Sequence, residues 1–303
     1  MPVEIPFRRD IAFEYGRLEP IAPGIRRIVA NNPGPFTYKG TGTYVVGEGE
    51  VAVIDPGPEL EEHIAALVTS LADEQVTHIL VTHTHRDHSP AAKALREATG
   101  APTYGFGPHA GGKRGEAVVE EGGDWDFTPD IVVRDGEAVE GGKWRFEAVH
   151  TPGHTSNHLC FALTDSGVLF SGDHVMGWST SVIAPPDGDM AAYMASLDKL
   201  LARRDAMYWP THGPAITEPQ RHVRAFVAHR REREAGVIDC LKAGIGTTDK
   251  MVERLYVGLN PSLRRAAGRS VLAHLMDLIG RDIVTADGPA TVEAHFRLRH
   301  KPR

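Results

Sequence analysis

Residues 78–90, HILVTHTHRDHSP, decide how the chain is read. The apolar run Ile79-Leu80-Val81 marks a buried strand, and it empties into a segment holding His83, His85, Asp87 and His88 within six residues. Alternate positions on an extended exit share a side, so His83 and His85 aim together. Asp87 and His88, just beyond, turn toward a second point nearby. Clustered imidazoles repel when charged and need partners when buried. A divalent metal relieves both conditions, because neutral imidazole is a good ligand. The spacing H-x-H-x-D-H therefore predicts metal chemistry at a strand end, in preference to a solvated loop.

Outward from this stretch, strand-like and helix-like segments alternate. Residues 41–58, TGTYVVGEGEVAVIDPGP, carry two β-branched runs around Gly47-Glu48-Gly49-Glu50 and predict a hairpin. Residues 59–74 place Leu60, Ile64, Leu67, Val68 and Leu71 at helical spacing. Pro90 opens a helix that Gly100 closes, and 101–106 reads as a short strand. Residues 107–130, rich in Gly, Glu and Asp, predict a surface loop in which Trp125 and Phe127 either cover a cleft or anchor the loop. Strands are expected over 144–151, 158–163 and 167–173, a helix over 189–203, and a strand running into a loop over 206–214. Hairpins mixed into this alternation predict an α/β core of layered sheets, not an all-parallel doubly wound sheet.

After Pro219 the pattern changes. A charged helix over 221–244 turns Phe226, Val237 and Leu241 inward, and a second over 247–259 groups Met251, Val252, Leu255 and Tyr256 with Thr248 as its N-cap. A third over 261–280 carries the stripe Leu263, Ala267, Val271, Leu275 and Leu278. An Asp287-Gly288 turn followed by alternating Val292, Ala294, Phe296 and Leu298 predicts a hairpin. Three helices plus a hairpin outline a winged helix, which divides the chain into 1–220 and 221–303. Charge divides there too. Residues 221–303 hold 16 Lys and Arg against nine Asp and Glu, a balance of +7, and residues 1–220 hold 17 against 31, a balance of −14. The two together return the net charge of −7, and the split suggests two units with different tasks.

At 303 residues both units can own a core. A hydrophobic content of 41% with 24% charged residues excludes a disordered chain. No apolar run approaches the ~18 residues of a membrane span, and MPVEIPFRRDIAFEYG at the start lacks the apolar core of a secretory signal. Cys160 and Cys240 are too few for a disulfide framework and are expected to be buried. The expectation is a cytoplasmic protein without a membrane partner.

Three further strand exits carry chemistry-bearing side chains. His154 follows the turn Thr151-Pro152-Gly153, Asp173 ends LFSGD, and His212 lies in WPTHGP. At such exits a rigid sheet aims a side chain at a site. THTHRDH, TPGH, the Gly172-Asp173 pair and THG stand in an order that resembles the metallo-β-lactamase superfamily over about residues 35–215. The resemblance implies an αββα sandwich, two sheets packed together with helices outside. It implies one metal on His83, His85 and His154, a second on Asp87, His88 and His212, and Asp173 bridging them. Asp55, in VIDPG, matches a position that supports a histidine ligand from behind; a plain turn role is an equal alternative. His150 is demoted as a ligand because the pattern places the ligand after Pro-Gly. His158 and His174 read as supporting or surface residues before substrate-facing ones. Ser89 and Ser179 lack the spacing of a nucleophilic triad.

Residues 222–285 resemble the β-lactamase-associated winged-helix domain, which marks a branch whose best-known animal member is an endoribonuclease. Together the resemblances imply a binuclear metal-dependent hydrolase. A hydroxide shared by two divalent ions, zinc first with iron or manganese as alternatives, would attack an acyl or phosphoryl centre. Asp87 or a metal-bound water would return a proton to the leaving group. Asp173 fits the bridging position of glyoxalase II-like and ribonuclease Z-like members, which argues against antibiotic hydrolysis as the native role and leaves β-lactam turnover as a side activity. A small-molecule thioester or lactone is the first substrate expectation and single-stranded RNA the second. An RNA substrate would want Arg264, Arg265 and Arg269 along a phosphate track, yet no RNA-binding aromatic signature accompanies them and the body is acidic. A nucleic-acid-binding regulator would leave seven ligands idle. The appended domain is expected to pack against the body or a second subunit, which keeps a homodimer open.

Overall fold

A computed structural model describes residues 3–112, 120 and 122–299, so the loop expected over 107–130 lies partly outside the described residues. Strands β1 (Glu19–Ala22), β2 (Ile25–Val29), β3 (Gly42–Glu48), β4 (Glu50–Ile54), β5 (Gln75–Leu80), β6 (Thr103–Gly105) and β7 (Ile131–Val132) form one sheet in that order. Pairing is antiparallel from β1 to β4 and parallel from β4 to β7. A second sheet contains β8 (Ala138–Gly141), β9 (Trp144–His150), β10 (Leu159–Leu163), β11 (Val168–Gly172) and β12 (Met207–Pro210), antiparallel except for the β11–β12 pair. Helices α1 (Glu61–Ser70) and α2 (Ala91–Thr99) cover the first sheet, and α3 (Met190–Ala202) with the first half of α4 (Pro219–Lys242) covers the second.

The four layers follow from the period of two along the strands. Tyr44, Val46, Ala52 and Ile54 meet Phe146, Ala148, Leu159, Phe161 and Phe170 between the sheets. Their neighbours Val45, Val51 and Val53 point the other way, onto Leu67, Leu71 and Leu95. On the far side Val149, Cys160 and Ala162 pack against Tyr193, Leu197 and Phe226. Each large side chain buried in this way contributes about 1.5–3 kcal/mol by leaving water. The αββα sandwich expected from the resemblance is the observed fold. Both cysteines are buried and unpaired, and among the described residues no helix is long and apolar enough to cross a membrane.

The appended unit packs the second half of α4 with α5 (Thr248–Leu255), α6 (Arg264–Gly280) and the antiparallel pair β13 (Val284–Ala286) and β14 (Phe296–Leu298). Three details differ from expectation. Residue 220 lies inside α4, whose Val223, Phe226 and Val227 join the body core while Val237, Cys240 and Leu241 join the second core. Thr248 is the first helical residue, not the cap; its hydroxyl donates to the Val292 carbonyl at 2.7 Å. That bond belongs to the third difference: Val292 and Ala294 lie in the connection before β14, and only Phe296–Leu298 pair with β13.

Candidate metal centre

Parallel pairing brings the C-terminal ends of β4 and β5 side by side in one sheet, and those of β11 and β12 side by side in the other. The chain leaves these ends as Asp55, the 81–88 segment, Asp173 and His212, and the β9–β10 turn supplies His154. Two exits require glycine. At Gly153, with φ +134°, a Cβ would stand 2.3 Å from the Tyr193 Cα; at Gly172, with φ +51°, it would stand 2.6 Å from His158 Nε2.

All seven candidate ligands converge, and all are buried. His83 Nε2 and His154 Nε2 lie 3.1 and 3.2 Å from His85 Nδ1. Asp87 Oδ2 lies 3.0 Å from His212 Nε2 and 3.4 Å from His88 Nε2. Between the two groups stands Asp173 Oδ2, 3.4 Å from His212 Nε2, 3.6 Å from His88 Nε2 and 4.0 Å from His154 Nε2. His83–His85–His154, Asp87–His88–His212 and His83–His88–Asp173 each bring three donor atoms within 4.8 Å of one another.

For four of the five imidazoles the opposite ring nitrogen is tied down, which fixes the ring's orientation. His83 Nδ1 meets Thr82 Oγ1 at 3.0 Å, His154 Nδ1 the Val182 carbonyl at 2.7 Å, and His212 Nδ1 the Gly40 carbonyl at 3.2 Å. His88 Nδ1 lies 2.9 Å from Asp55 Oδ2. Asp55 is fully buried and also accepts from the Thr82 amide, the Thr82 hydroxyl and the Thr211 hydroxyl at 2.8, 2.8 and 2.9 Å. It therefore joins the exits of β5 and β12 behind the centre. His158 sits behind Asp173: its Nε2 accepts the Asp173 amide at 3.2 Å and its Nδ1 faces Thr151 Oγ1 at 2.8 Å.

Charge sorts the donors into two kinds. Burial pushes His83, His85 and His154 below the usual imidazole range, which keeps the neutral form that binds metals. Burial opposes charge on His88 and His212 as well, but Asp87 and Asp173 outweigh it, raising His88 well above its ordinary value and His212 to about 10. Those two imidazoles in turn hold Asp87 and Asp173 below the carboxylate range against their own burial. The pocket thus demands positive charge where the carboxylates meet. Among the described residues His88 Nε2 and Asp173 Oδ1 are buried without a hydrogen-bond partner. A neutral imidazole trio, a carboxylate-rich second group and two orphaned donor atoms suit divalent cations.

Several conspicuous residues take other places. His150 bonds the Ser156 carbonyl at 3.0 Å and stacks on Phe106, apart from the donors. His174 is buried against Tyr193 and His158. The Ser89 hydroxyl donates to Asp124 at 2.6 Å, and that of Ser179 faces the Thr180 carbonyl. Sequence reasoning missed Thr82, Thr211, Thr41, Ser181 and His63. Thr82 and Thr211 directly precede candidate ligands, a repeated Thr-His signal that could have found them. Thr41 Oγ1 donates to Asp87 at 3.3 Å, and His63 Nε2 faces the Pro56 carbonyl at 3.0 Å.

A cleft of about 970 Å³ opens from His85 and His154. Trp125 and Phe127 line one side, Pro185 and Pro186 another, and Arg269 and Val292 of the appended unit a third. Both earlier readings of the aromatic pair hold in part: Phe127 anchors the loop in the core, and half-buried Trp125 sets its ring edge-on to His109. Arg269 donates to the Pro185 carbonyl at 3.1 Å, whereas Arg264 pairs with Glu253.

Residues 39–212 match the metallo-β-lactamase superfamily, and residues 247–290 match the β-lactamase associated winged helix domain. Among curated relatives, an atrochrysone carboxyl ACP thioesterase of Claviceps purpurea is 32% identical over 229 residues, covering 74% of this chain and 67% of that one. A β-lactamase-like protein 2 homolog of Caenorhabditis elegans is also 32% identical, covering 74% and 73%. The crystal structure of a metallo-β-lactamase family protein of Thermus thermophilus superposes with a TM-score of 0.75 at 24% identity, covering 92% and 99%, a likeness of fold. With more than half of its residues in that match and its two sheets folded accordingly, this chain belongs to the metallo-β-lactamase superfamily of metal-dependent hydrolases.

Proposed function

We propose that the protein is a two-metal hydrolase of small acyl substrates, thioesters first, with residues 1–220 as the catalytic unit and 221–303 as an appended wall. The observation that carries this reading is the position of Asp173 Oδ2, within 4.0 Å of donor atoms from both histidine groups. His83, His85 and His154 would hold one ion and Asp87, His88 and His212 the other, with Asp173 between them. Two such ions, zinc by the mixed His and Asp donor set, supply Lewis acidity and water of lowered pKa. Asp55 and the Val182 and Gly40 carbonyls keep the ligand rings oriented. Asp87, which Thr41 also contacts, or a bound water would take the proton that the attacking water gives up and pass it to the leaving thiolate. His158 holds the Asp173 backbone and takes no part in bond making.

The cleft supports the choice of substrate. Trp125, Pro185, Pro186 and Val292 offer an acyl chain apolar surface and limit water. Among the described residues its lining carries four Lys and Arg against seven Asp and Glu, an unfavourable balance for a polyanion such as RNA. The thioesterase names of relatives point the same way. The test is a zinc-loaded preparation assayed on an acyl thioester, a lactone, a chromogenic β-lactam and a fluorogenic single-stranded RNA, beside Asp87→Ala. Thioester turnover that disappears in the variant is expected. RNA cleavage that weakens steeply with salt, with the thioester left intact, would overturn the reading in favour of a nuclease.

A further inference from the structure

We infer that Arg230, midway along the helix that joins the two cores, is a positioning residue for the metal centre: it holds the strap 181–182, which in turn fixes His154 and the backbone of Asp173. The inference rests on the two-metal reading of that centre. Arg230 occupies a place that packing alone would give to an apolar side chain. Val223, Phe226 and Val227 face the body core at helical spacing, and the next position on that stripe is Arg230, 4% exposed. Among the described residues no carboxylate lies within ion-pair distance of it, and its Nε is buried without a partner. An unpaired buried guanidinium is expensive to keep, so its contacts call for an explanation beyond filling space.

Those contacts lead to the centre. The guanidinium lies 5.1 Å over the Tyr193 ring and donates from Nη2 to the Ser181 carbonyl. The Ser181 hydroxyl reaches the Asp173 and His174 carbonyls at 2.6 and 2.9 Å. The next residue, Val182, presents its carbonyl to His154 Nδ1 at 2.7 Å. Tyr193, under the guanidinium, closes the loop by donating to the His174 carbonyl at 2.9 Å. One side chain on α4 thus anchors the strap that orients a terminal candidate ligand and the candidate bridge. Through it α4, which runs on into the appended unit, reaches the candidate centre.

The experiment measures zinc affinity by competition with a chromophoric chelator for wild type, Arg230→Met, Arg230→Lys and Ser181→Ala, all as full chains. Arg230→Met keeps the apolar stem and loses the donors; its affinity should fall about 10–100-fold, the usual cost of losing a partner that orients a ligand. Arg230→Lys, which keeps one charged donor, should recover part of that loss. Ser181→Ala should lose affinity too, and the double variant should fall by less than the product of the two single effects, because both act through one strap. The zinc-induced rise in Tm should shrink in Arg230→Met; a merely structural role would lower Tm equally with and without zinc. Wild-type affinity in folded Arg230→Met overturns the inference. Should that variant not fold, wild-type affinity in both Arg230→Lys and Ser181→Ala overturns it. A wild type that binds fewer than two zinc ions refutes the two-metal reading itself, a separate outcome.

Discussion

Replacing Asp55 by Asn isolates the charge behind the centre. Asp55 has φ +50°, a left-handed conformation that Asn tolerates at least as well as Asp, so the backbone should not object. The carboxylate, an acceptor only, meets four donors at 2.8–2.9 Å: the Thr82 amide at Oδ1, and the Thr82 hydroxyl, the Thr211 hydroxyl and His88 Nδ1 at Oδ2. An amide must put its NH2 on one side. On the Oδ1 side it faces the Thr82 amide, and two donors are left unmet. On the Oδ2 side the hydroxyls can turn to accept, but the Nδ1–H of His88, whose Nε2 is aimed at Asp87 and Asp173, then meets an NH2 instead of a carboxylate. An unmet buried donor costs about 1–3 kcal/mol, and the remaining bonds lose charge assistance, which is worth about half their strength. The zinc-free variant should therefore be less stable by about 3 kcal/mol in urea melts, and zinc should bind about 10–100-fold more weakly. A change within about 0.5 kcal/mol, the scale of an ordinary surface substitution, together with wild-type zinc affinity, would refute the reasoning.

Three other outcomes are expected. Arg26 bonds both oxygens of Glu74 at 2.5 and 2.9 Å and lowers the Glu74 pKa against the opposing effect of burial. A depressed carboxyl stabilises above its unfolded pKa of about 4.3 and loses that contribution as pH falls through the lower folded value. Glu74→Gln should thus cost about 1 kcal/mol at neutral pH and nothing in acid below that lower value, read from urea melts across pH; an equal cost at all pH values would contradict the ion pair. Arg269→Ala removes the bond to the Pro185 carbonyl that ties the appended unit to the cleft wall. Steady-state assays should show the thioester KM raised about fivefold, the worth of ~1 kcal/mol, with kcat nearly unchanged; an unchanged KM would remove the appended unit from substrate binding. Chelation should abolish turnover yet leave the far-ultraviolet spectrum of a folded protein. Zinc at about 1,000 times its Kd should then add about 4 kcal/mol and lift Tm by on the order of 10 °C; the absence of a shift would mean that no ion binds the native state.

The parts of the molecule that could be read in the sequence are those whose cause is local. His83, His85, Asp87 and His88 sit on one short strand exit, so their spacing alone announces a cluster. His154, Asp173 and His212 come from three distant exits, and only the ordered resemblance joined them to it. Strand alternation showed the hairpins around β3, β4, β9 and β10, where one face meets the other sheet. Edge strands β1 and β7 were missed: β1 is only half-buried and β7 is two exposed residues, so neither carries an apolar period. Thr248 was placed one position off because its hydroxyl finds the Val292 carbonyl, a partner 44 residues away. Arg230 was invisible for the same reason: it acts through a carbonyl 49 residues distant. Helix α4 runs through residue 220 without a break because it serves two cores at once, something a change of composition cannot reveal.

The most direct test counts zinc by elemental analysis on the full chain after equilibrium loading, for wild type and for His212→Ala. Two ions per chain are expected in the wild type. His212 reaches both Asp87 and Asp173, at 3.0 and 3.4 Å, but belongs to only one of the two proposed sets. The variant should therefore fall toward one ion, held by His83, His85 and His154. Fewer than two ions per wild-type chain at saturating zinc, or two ions bound as tightly in the variant, would contradict a two-metal centre built from these seven side chains.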